Sequence, residues 1–262
     1  MADADHQENA VDRFDYENAI PLAEGIYWVG FYDEKSSLHC NPYLLIDGDE
    51  AALIDSGTIP HFPIVMRKVI DLVELGQVSY LIAQHQDPDV CGNIAVVEDL
   101  LENPALKIVA HGHTVRLIRH YGTHSEYYPV EENDYRLTLK SGRVLRFIFT
   151  PYLHSPGAIA TFDEATGTLF SSDLFGGLSR NWSLKARPGY IEAMEAFHRI
   201  YMPSNKVLRP TIERLEKLPI TRILPQHGSV IEGDDVKVAM AHLKELACGV
   251  DLNKELVGGE RW

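Results

Sequence analysis

One stretch constrains this chain more than any other, an apolar run that halts at one imidazole and two carboxylates on alternate positions: Leu81-Ile82-Ala83-Gln84-His85-Gln86-Asp87-Pro88-Asp89-Val90-Cys91-Gly92. Side chains alternate along extended backbone, so residues 85, 87 and 89 face the same way if the chain leaves its strand still extended. That puts one nitrogen and two oxygen donors at a sheet edge, where a metal ion can sit. A carboxylate-rich donor set suits iron or manganese better than an all-histidine one. Three later strand ends have the same form. Phe147-Ile148-Phe149-Thr150-Pro151-Tyr152-Leu153 leads into His154, Leu169-Phe170-Ser171-Ser172 into Asp173, and Ile223-Leu224-Pro225-Gln226 into His227, each with a glycine soon after to turn the chain. A single such end is ordinarily structural. Four in order, the first carrying three donors, point to a metal site.

The apolar periodicity around these ends sets the fold class. Strands are expected at Gly25–Phe31, Pro42–Ile46 and Ala51–Asp55, a helix from Phe62 to Leu75, the motif strand Val78–Ala83, and a helix over Gly92–Leu101. A strand at Lys107–Ala110 and a helix near His113–Tyr121 follow, then a loop rich in Tyr and Glu at His124–Glu132. From Tyr135 short strands succeed one another (Arg143–Thr150, Ala158–Phe162, Thr168–Ser171). Helices return at Tyr190–Met202 and Val207–Leu218, then strand Arg222–Leu224 and a helix from Asp234. Two strand-rich, helix-flanked halves make an α/β layered sandwich rather than a doubly wound sheet. No G-x-G-x-x-G or Walker pattern occurs.

Composition narrows the function classes. A net charge of -14 opposes binding to nucleic acid or to an anionic membrane surface. The three cysteines, Cys40, Cys91 and Cys248, are too scattered for a disulfide framework or a thiolate metal site, which reads as reduced thiols in the cytoplasm. Residues 1–18 are polar and acidic, unlike a signal peptide, and no apolar run reaches the ~20 residues of a membrane span. The expected organisation is an acidic N-terminal leader over 1–20, one domain over 21–250 and a C-terminal tail over 251–262.

The order His-x-Asp-x-Asp…His…Asp…His resembles the metallo-β-lactamase fold, an αββα four-layer sandwich, and within it the core of flavodiiron proteins. Leu153-His154-Ser155-Pro156-Gly157, Phe170-Ser171-Ser172-Asp173-Leu174-Phe175-Gly176 and Gln226-His227-Gly228 are similar to the flavodiiron wording. Leu38-His39-Cys40-Asn41-Pro42-Tyr43-Leu44 resembles the stand-alone oxygen-binding diiron proteins. The resemblance spans about residues 20–250. It implies two iron ions, oxo- or hydroxo-bridged when oxidised, with His85, Asp87 and His154 on the first, Asp89 and His227 on the second, and Asp173 bridging; zinc or manganese is the lesser alternative. The chain departs from the pattern twice. Asp87 stands where zinc hydrolases have histidine and flavodiiron proteins commonly glutamate, and Val90 stands where the superfamily usually has histidine, leaving a further open position on the second metal.

The functional expectation is a non-haem diiron protein that binds O2, and NO as a second ligand, and senses or slowly reduces it. The chain leaves no room for the flavodoxin-like domain of flavodiiron enzymes, hence no FMN, and turnover calls for an external reductase; a signalling protein and a homodimer are the further partners expected. No catalytic residue is assigned beyond the ligands. A binuclear metallohydrolase such as a phosphodiesterase is the alternative. Asp55 resembles the fold's aspartate that orients a ligating histidine, with a plain turn carboxylate the equal alternative. His111 and His113 lie outside the ligand order. His124, Tyr127, Tyr128, Asn181 and Trp182 are candidates for the pocket border, and Gly258–Trp262 for a docking tail.

Overall fold

Burial sorts the apolar side chains into three layers, and the layers define the architecture. The computed structural model describes residues 14–32 and 35–252; most of the leader and tail, with the Gly258–Trp262 segment, lies outside the described residues. In chain order the first half runs β1 Ile20–Ala23, β2 Ile26–Trp28, β3 Tyr43–Asp47, β4 Glu50–Ile54, α1 Phe62–Ile70, β5 Val78–Ile82, α2 Pro88–Cys91, α3 Ile94–Leu101, β6 Lys107–Ala110, α4 Gly112–Ile118 and β7 Glu126–Pro129. The second half runs β8 Arg136–Thr138, β9 Val144–Phe149, β10 Ile159–Asp163, β11 Thr168–Ser172, α5 Tyr190–Tyr201, α6 Asn205–Leu215, β12 Arg222–Pro225, β13 Ile231–Glu232 and α7 Asp234–Glu245.

Strand β4 shows how the layers arise. All five of its residues are buried. Ala52 and Ile54 face inward, where they join Trp28, Tyr43, Leu145, Phe147, Phe170 and Leu224 between the two sheets. Ala51 and Leu53 face the other way, against Val65 and Val69 of α1 and Ile94 and Val97 of α3. On the far side, Leu169 and Ile223 pack against Phe197 of α5, Ile212 of α6 and Leu243 of α7. Helices, sheet, sheet, helices is the αββα sandwich, and a central strand buried on both faces has to be apolar on both, as β4 is.

The first sheet has the order β1-β2-β3-β4-β5-β6-β7 and the second β13-β12-β11-β10-β9-β8. Pairing is parallel from β4 to β7 and between β11 and β12, and antiparallel elsewhere. Parallel neighbours end at the same edge, so β5 and, across the sandwich, β11 and β12 each deliver a polar residue there. The Ile159 N–H, which donates to the Gln84 carbonyl at 2.9 Å, fastens the two edges together.

Several elements differ from the sequence reading, which placed no strand at β1 or β13. Glu126–Pro129, expected as loop, is strand β7, because β6 offers it a parallel edge from Lys107 to Ala110. The helix expected to Leu75 stops at Ile70, and the one expected over Gly92–Leu101 begins only at Ile94, as α3, because the helical run that opens with α2 is interrupted. Asn93 breaks it: its N–H donates to the Gly57 carbonyl and its side-chain amide to the Ser56 carbonyl, drawing the backbone out of the helix. Phe14 and Tyr16, within the stretch read as leader, pack against the inter-sheet layer. Among the described residues no helix is long and apolar enough to cross a membrane.

A buried ion pair of the second sheet, away from the edge that carries His85 and His227, is also tied to the first sheet. Arg143 donates to both oxygens of Asp163, at 2.9 and 2.7 Å, and to the Glu24 carbonyl of the β1–β2 turn at 3.1 Å. Burial raises the Asp163 carboxyl, but the Arg143 guanidinium and Thr166 outweigh it and hold the group below its ordinary range. Replacing Arg143 by Met should destabilise the fold by about 3–5 kcal/mol in urea unfolding at neutral pH, because it strands a buried carboxylate. A folded-state value below the ordinary 3.8 makes this contribution fully present above that pH and lost as pH falls beneath it.

Candidate metal centre

Strand β5 delivers the opening motif, but the chain does not stay extended through it. Gln84 is pinned by Asp55, whose Oδ1 accepts the Gln84 N–H at 2.9 Å and whose Oδ2 accepts its side-chain amide at 2.8 Å. Asp87 is still extended, and Pro88 then opens the helical turn α2, so Asp89 sits on a helix rather than on an alternating strand. Proline suits the first position of a helix, which explains the break. The turn has a consequence for the donors: His85 and Asp87 face His154, whereas Asp89 faces His227.

Asp173 lies between the two groups. Its Oδ2 is 3.6 Å from His85 Nε2 and 3.0 Å from His154 Nε2; its Oδ1 is 3.7 Å from His227 Nε2. On the first side, Asp87 Oδ2 is 3.1 Å from His154 Nε2 and 3.8 Å from His85 Nε2; on the second, Asp89 Oδ2 is 3.0 Å from His227 Nε2. Donors about 3 Å apart have the spacing of neighbours around an ion with bonds of roughly 2.1 Å. The imidazoles are oriented from behind. His85 Nδ1 meets the Ser172 hydroxyl at 2.9 Å, and His227 Nδ1 donates to the His39 carbonyl at 3.1 Å, which turns each Nε2 inward.

The donor set fits a cation. His85 Nε2 and Asp173 Oδ1 are buried and make no hydrogen bond, which a protein tolerates where an ion satisfies them. Burial pushes the Asp173 carboxyl up, but His85, His154 and His227 hold it far below the usual carboxylate range. His154 is raised to about 10 by its hydrogen bonds to Asp173 and then Asp87. Burial pulls His227 down, yet Asp89 and its other neighbours leave it well above the ordinary 6.5. A cation entering between these groups displaces the imidazole protons.

Local backbone aims the bridging carboxylate. Ser172 and Phe175 flank Asp173 with φ of 56° and 65°, a left-handed conformation costing a non-glycine residue about 1 kcal/mol or more. His198 holds this turn: its Nε2 accepts the Phe175 N–H at 3.1 Å while Nδ1 donates to the Met194 carbonyl at 2.7 Å. Gly228, φ 83°, must be glycine, since a Cβ would lie 2.6 Å from the Gly177 nitrogen and collide with the Tyr190 hydroxyl.

All six sequence-proposed donors, His85, Asp87, Asp89, His154, Asp173 and His227, therefore converge. Asp55 does not orient a histidine; it fastens Gln84, and burial raises its carboxyl to about 6 against the lowering by Gln84. His111 caps α4 and stacks on Phe149 with centroids 4.3 Å apart. His124 is exposed and pairs with the buried Glu98 at 3.1 Å. The Tyr128 hydroxyl donates to the Arg136 carbonyl, and the Tyr127 hydroxyl meets Thr123. Trp182 reaches the carbonyl of Gly228, beside His227, whereas Asn181 is exposed. Sequence reasoning missed two phenols and a thiol. Tyr121 donates to the Gln86 carbonyl at 3.1 Å, the Tyr201 ring lies 6.2 Å from that of His154, and Cys40 Sγ lies with Asp89 and His227, their donor atoms within 4.8 Å of one another. The loop around Cys40 carried no donor spacing, so only its wording marked it.

Fold and donor cluster together define a metallo-β-lactamase-like protein with a candidate two-ion centre. A family described as ODP family beta lactamase matches residues 38–228, and the chain belongs to that family. The chemotaxis sensor ODP from T. denticola, solved in an apo state, superposes with a TM-score of 0.74 at 25% identity, covering 91% of this chain and 97% of the sensor. A structure described as a peroxy diiron species of the chemotaxis sensor ODP gives 0.78 at 24% identity, covering 91% and 99%. Among curated relatives, a nitric oxide reductase of Moorella thermoacetica is 24% identical over 86% of this chain and 60% of its own length. A putative diflavin flavoprotein of Thermosynechococcus vestitus is 28% identical over 84% of this chain and 36% of its own. The chain spans about a third of the length of the first such relatives.

His198 yields a pH prediction. Burial lowers it to about 4 from the ordinary 6.5, so between those values the unfolded chain takes up a proton that the folded chain refuses. Stability should be fully present above 6.5 and fall toward pH 4, by about 1.4 kcal/mol per pH unit at most. Urea unfolding of the wild type and of His198→Gln across that range should show the difference in stability between them falling as pH drops from 6.5 toward 4, while the slopes due to other groups, Asp55 among them, are common to both and cancel.

Proposed function

We propose that this chain is a non-haem diiron protein that binds O2, senses it or slowly reduces it, and takes NO as a second diatomic ligand. The observation that carries the reading is the buried Asp173 carboxylate, with one oxygen toward His85 and His154 and the other toward His227. Support for iron comes from the similarity to a sensor described as a diiron species, and for NO from the similarity to a nitric oxide reductase.

In this reading His85, Asp87 and His154 hold the first ion, Asp89 and His227 the second, and Asp173 both. A ferrous pair bound there supplies electrons and a coordination position for a diatomic ligand. The chain's own groups do the rest. Ser172 and the His39 carbonyl fix the His85 and His227 rings, so the Nε2 atoms need no reorganisation when an ion arrives. Asp87 and Asp89 neutralise positive charge with hard oxygen donors. The partially exposed side, where Asp87, Asp89 and His154 reach solvent, is the path by which a small neutral ligand enters. Reducing equivalents come from a separate reductase, and a signalling protein is the partner a sensor addresses, with a homodimer as the proposed assembly.

Metal analysis of freshly purified protein, joined to an anaerobic–aerobic absorption difference spectrum, tests the reading. Bound iron with an O2-dependent near-UV or visible band supports it. Iron-loaded protein with no spectral response and no O2 uptake would sink it, and chelator-sensitive hydrolysis of a phosphodiester would put a binuclear hydrolase in its place. Asp173→Asn should cut the iron content from two ions per chain to one or none and remove the O2 response, with the far-UV circular dichroism unchanged.

A further inference from the structure

We infer that Cys40 is a thiolate ligand of the second metal position, in place of the nitrogen donor that Val90 cannot supply. The inference rests on the binuclear reading above.

Backbone pairing, rather than chance packing, puts the thiol there. Cys40 forms an isolated antiparallel bridge with His227. Its neighbour Asn41 donates its N–H to the Gln226 carbonyl at 2.8 Å and its side-chain amide to the carbonyls of Pro225 and Gly228, at 3.0 and 2.9 Å. Trp28 donates to Asn41 Oδ1 at 2.9 Å, and the Tyr43 hydroxyl reaches the Pro225 carbonyl at 2.8 Å. The loop before β3 is thus tied along both sides of His227, and the Cys40 sulfur, an Asp89 oxygen and a His227 nitrogen come within 4.8 Å of one another.

The surroundings call for a cation. Asp173 Oδ1, on this side of the carboxylate and 2% exposed as a residue, has no hydrogen-bond partner. Cys40 is 6% exposed, and its sulfur lies 4.0 Å from His227 Nδ1. That nitrogen already donates its hydrogen to the His39 carbonyl, so it has no lone pair to accept the thiol hydrogen. Val90 is fully buried in the apolar layer beneath α1 and α3 and is committed to packing. The other nearby thiol, Cys91, points to the carbonyls of His85 and Asp87, at 3.5 Å each.

Ligation takes one proton from the Cys40 thiol to solvent and forms the sulfur–metal bond without oxidation. The two positions are then unequal: two nitrogens and an oxygen on one side, one nitrogen, one oxygen and one sulfur on the other, with Asp173 shared. A soft thiolate strengthens the second position for zinc as well as iron, so that position discriminates less between the two.

Cobalt(II) titration of metal-stripped full-length protein under anaerobic conditions tests this. Expected is a near-UV sulfur-to-cobalt charge-transfer band that grows with the weaker or stronger of two binding steps, a sulfur scatterer at the cobalt absorption edge, and loss of both in Cys40→Ser but not in Cys91→Ala. Cys40→Ser should also weaken one of the two cobalt affinities by about tenfold or more and leave the other unchanged. Two bound cobalt ions with neither band nor sulfur scatterer in the wild type would overturn the Cys40 assignment alone. A band that persists in Cys40→Ser overturns it too. Failure to bind cobalt at all overturns both this inference and the binuclear reading.

Discussion

The constraint on which the rest depends is one carboxylate serving two sets of donors. Asp173 is buried between three imidazoles, and without positive charge on both sides it could not stay ionised there. The surroundings serve that placement. Left-handed residues on either side aim it, His198 secures the turn that follows, and the ends of β5 and β12 bring histidines from different sheets to its two oxygens.

The four-layer sandwich makes such a meeting possible. Parallel pairing brings strand ends to a common edge, and two sheets packed face to face bring two such edges together. Hydrogen bonds from the Ile159 N–H to Gln84 and from the Gln226 amide to Asp89 stitch the edges where the donors sit. The apolar layers then fix distances between side chains far apart in sequence, because close-packed interiors leave little room for drift. A chain with the same donors on flexible loops would have to order them each time an ion bound.

Much of this was legible in the sequence. Each donor follows an apolar run and precedes a turn, and that local signature survives without knowledge of the fold. The inward and outward faces of β4 were readable as one apolar strand, though not which residue belonged to which layer. What escaped is instructive. Strand β7 was hidden because Glu126-Tyr127-Tyr128-Pro129 is a strand only by virtue of the edge beside it. Asp55 was left open between orienting a histidine and serving as a plain turn carboxylate; it holds Gln84, since the partner of a buried carboxylate is decided by which donors the fold brings within reach.

By itself, the sequence determined the identity of the donors and the class of sandwich that carries them, because apolar periodicity and strand-end residues are local properties of the chain. How the donors divide was implied only by the family resemblance, and the tertiary structure supplies its physical cause. The helical turn at Pro88 sends Asp89 away from Asp87, although strand alternation alone would have kept them together. It also brought Cys40 to His227 across 187 residues of chain, a contact no spacing rule encodes. Both outcomes have the same physical reason: which atoms meet is set by the register of strands and the packing of layers, and these are global solutions to burying apolar surface.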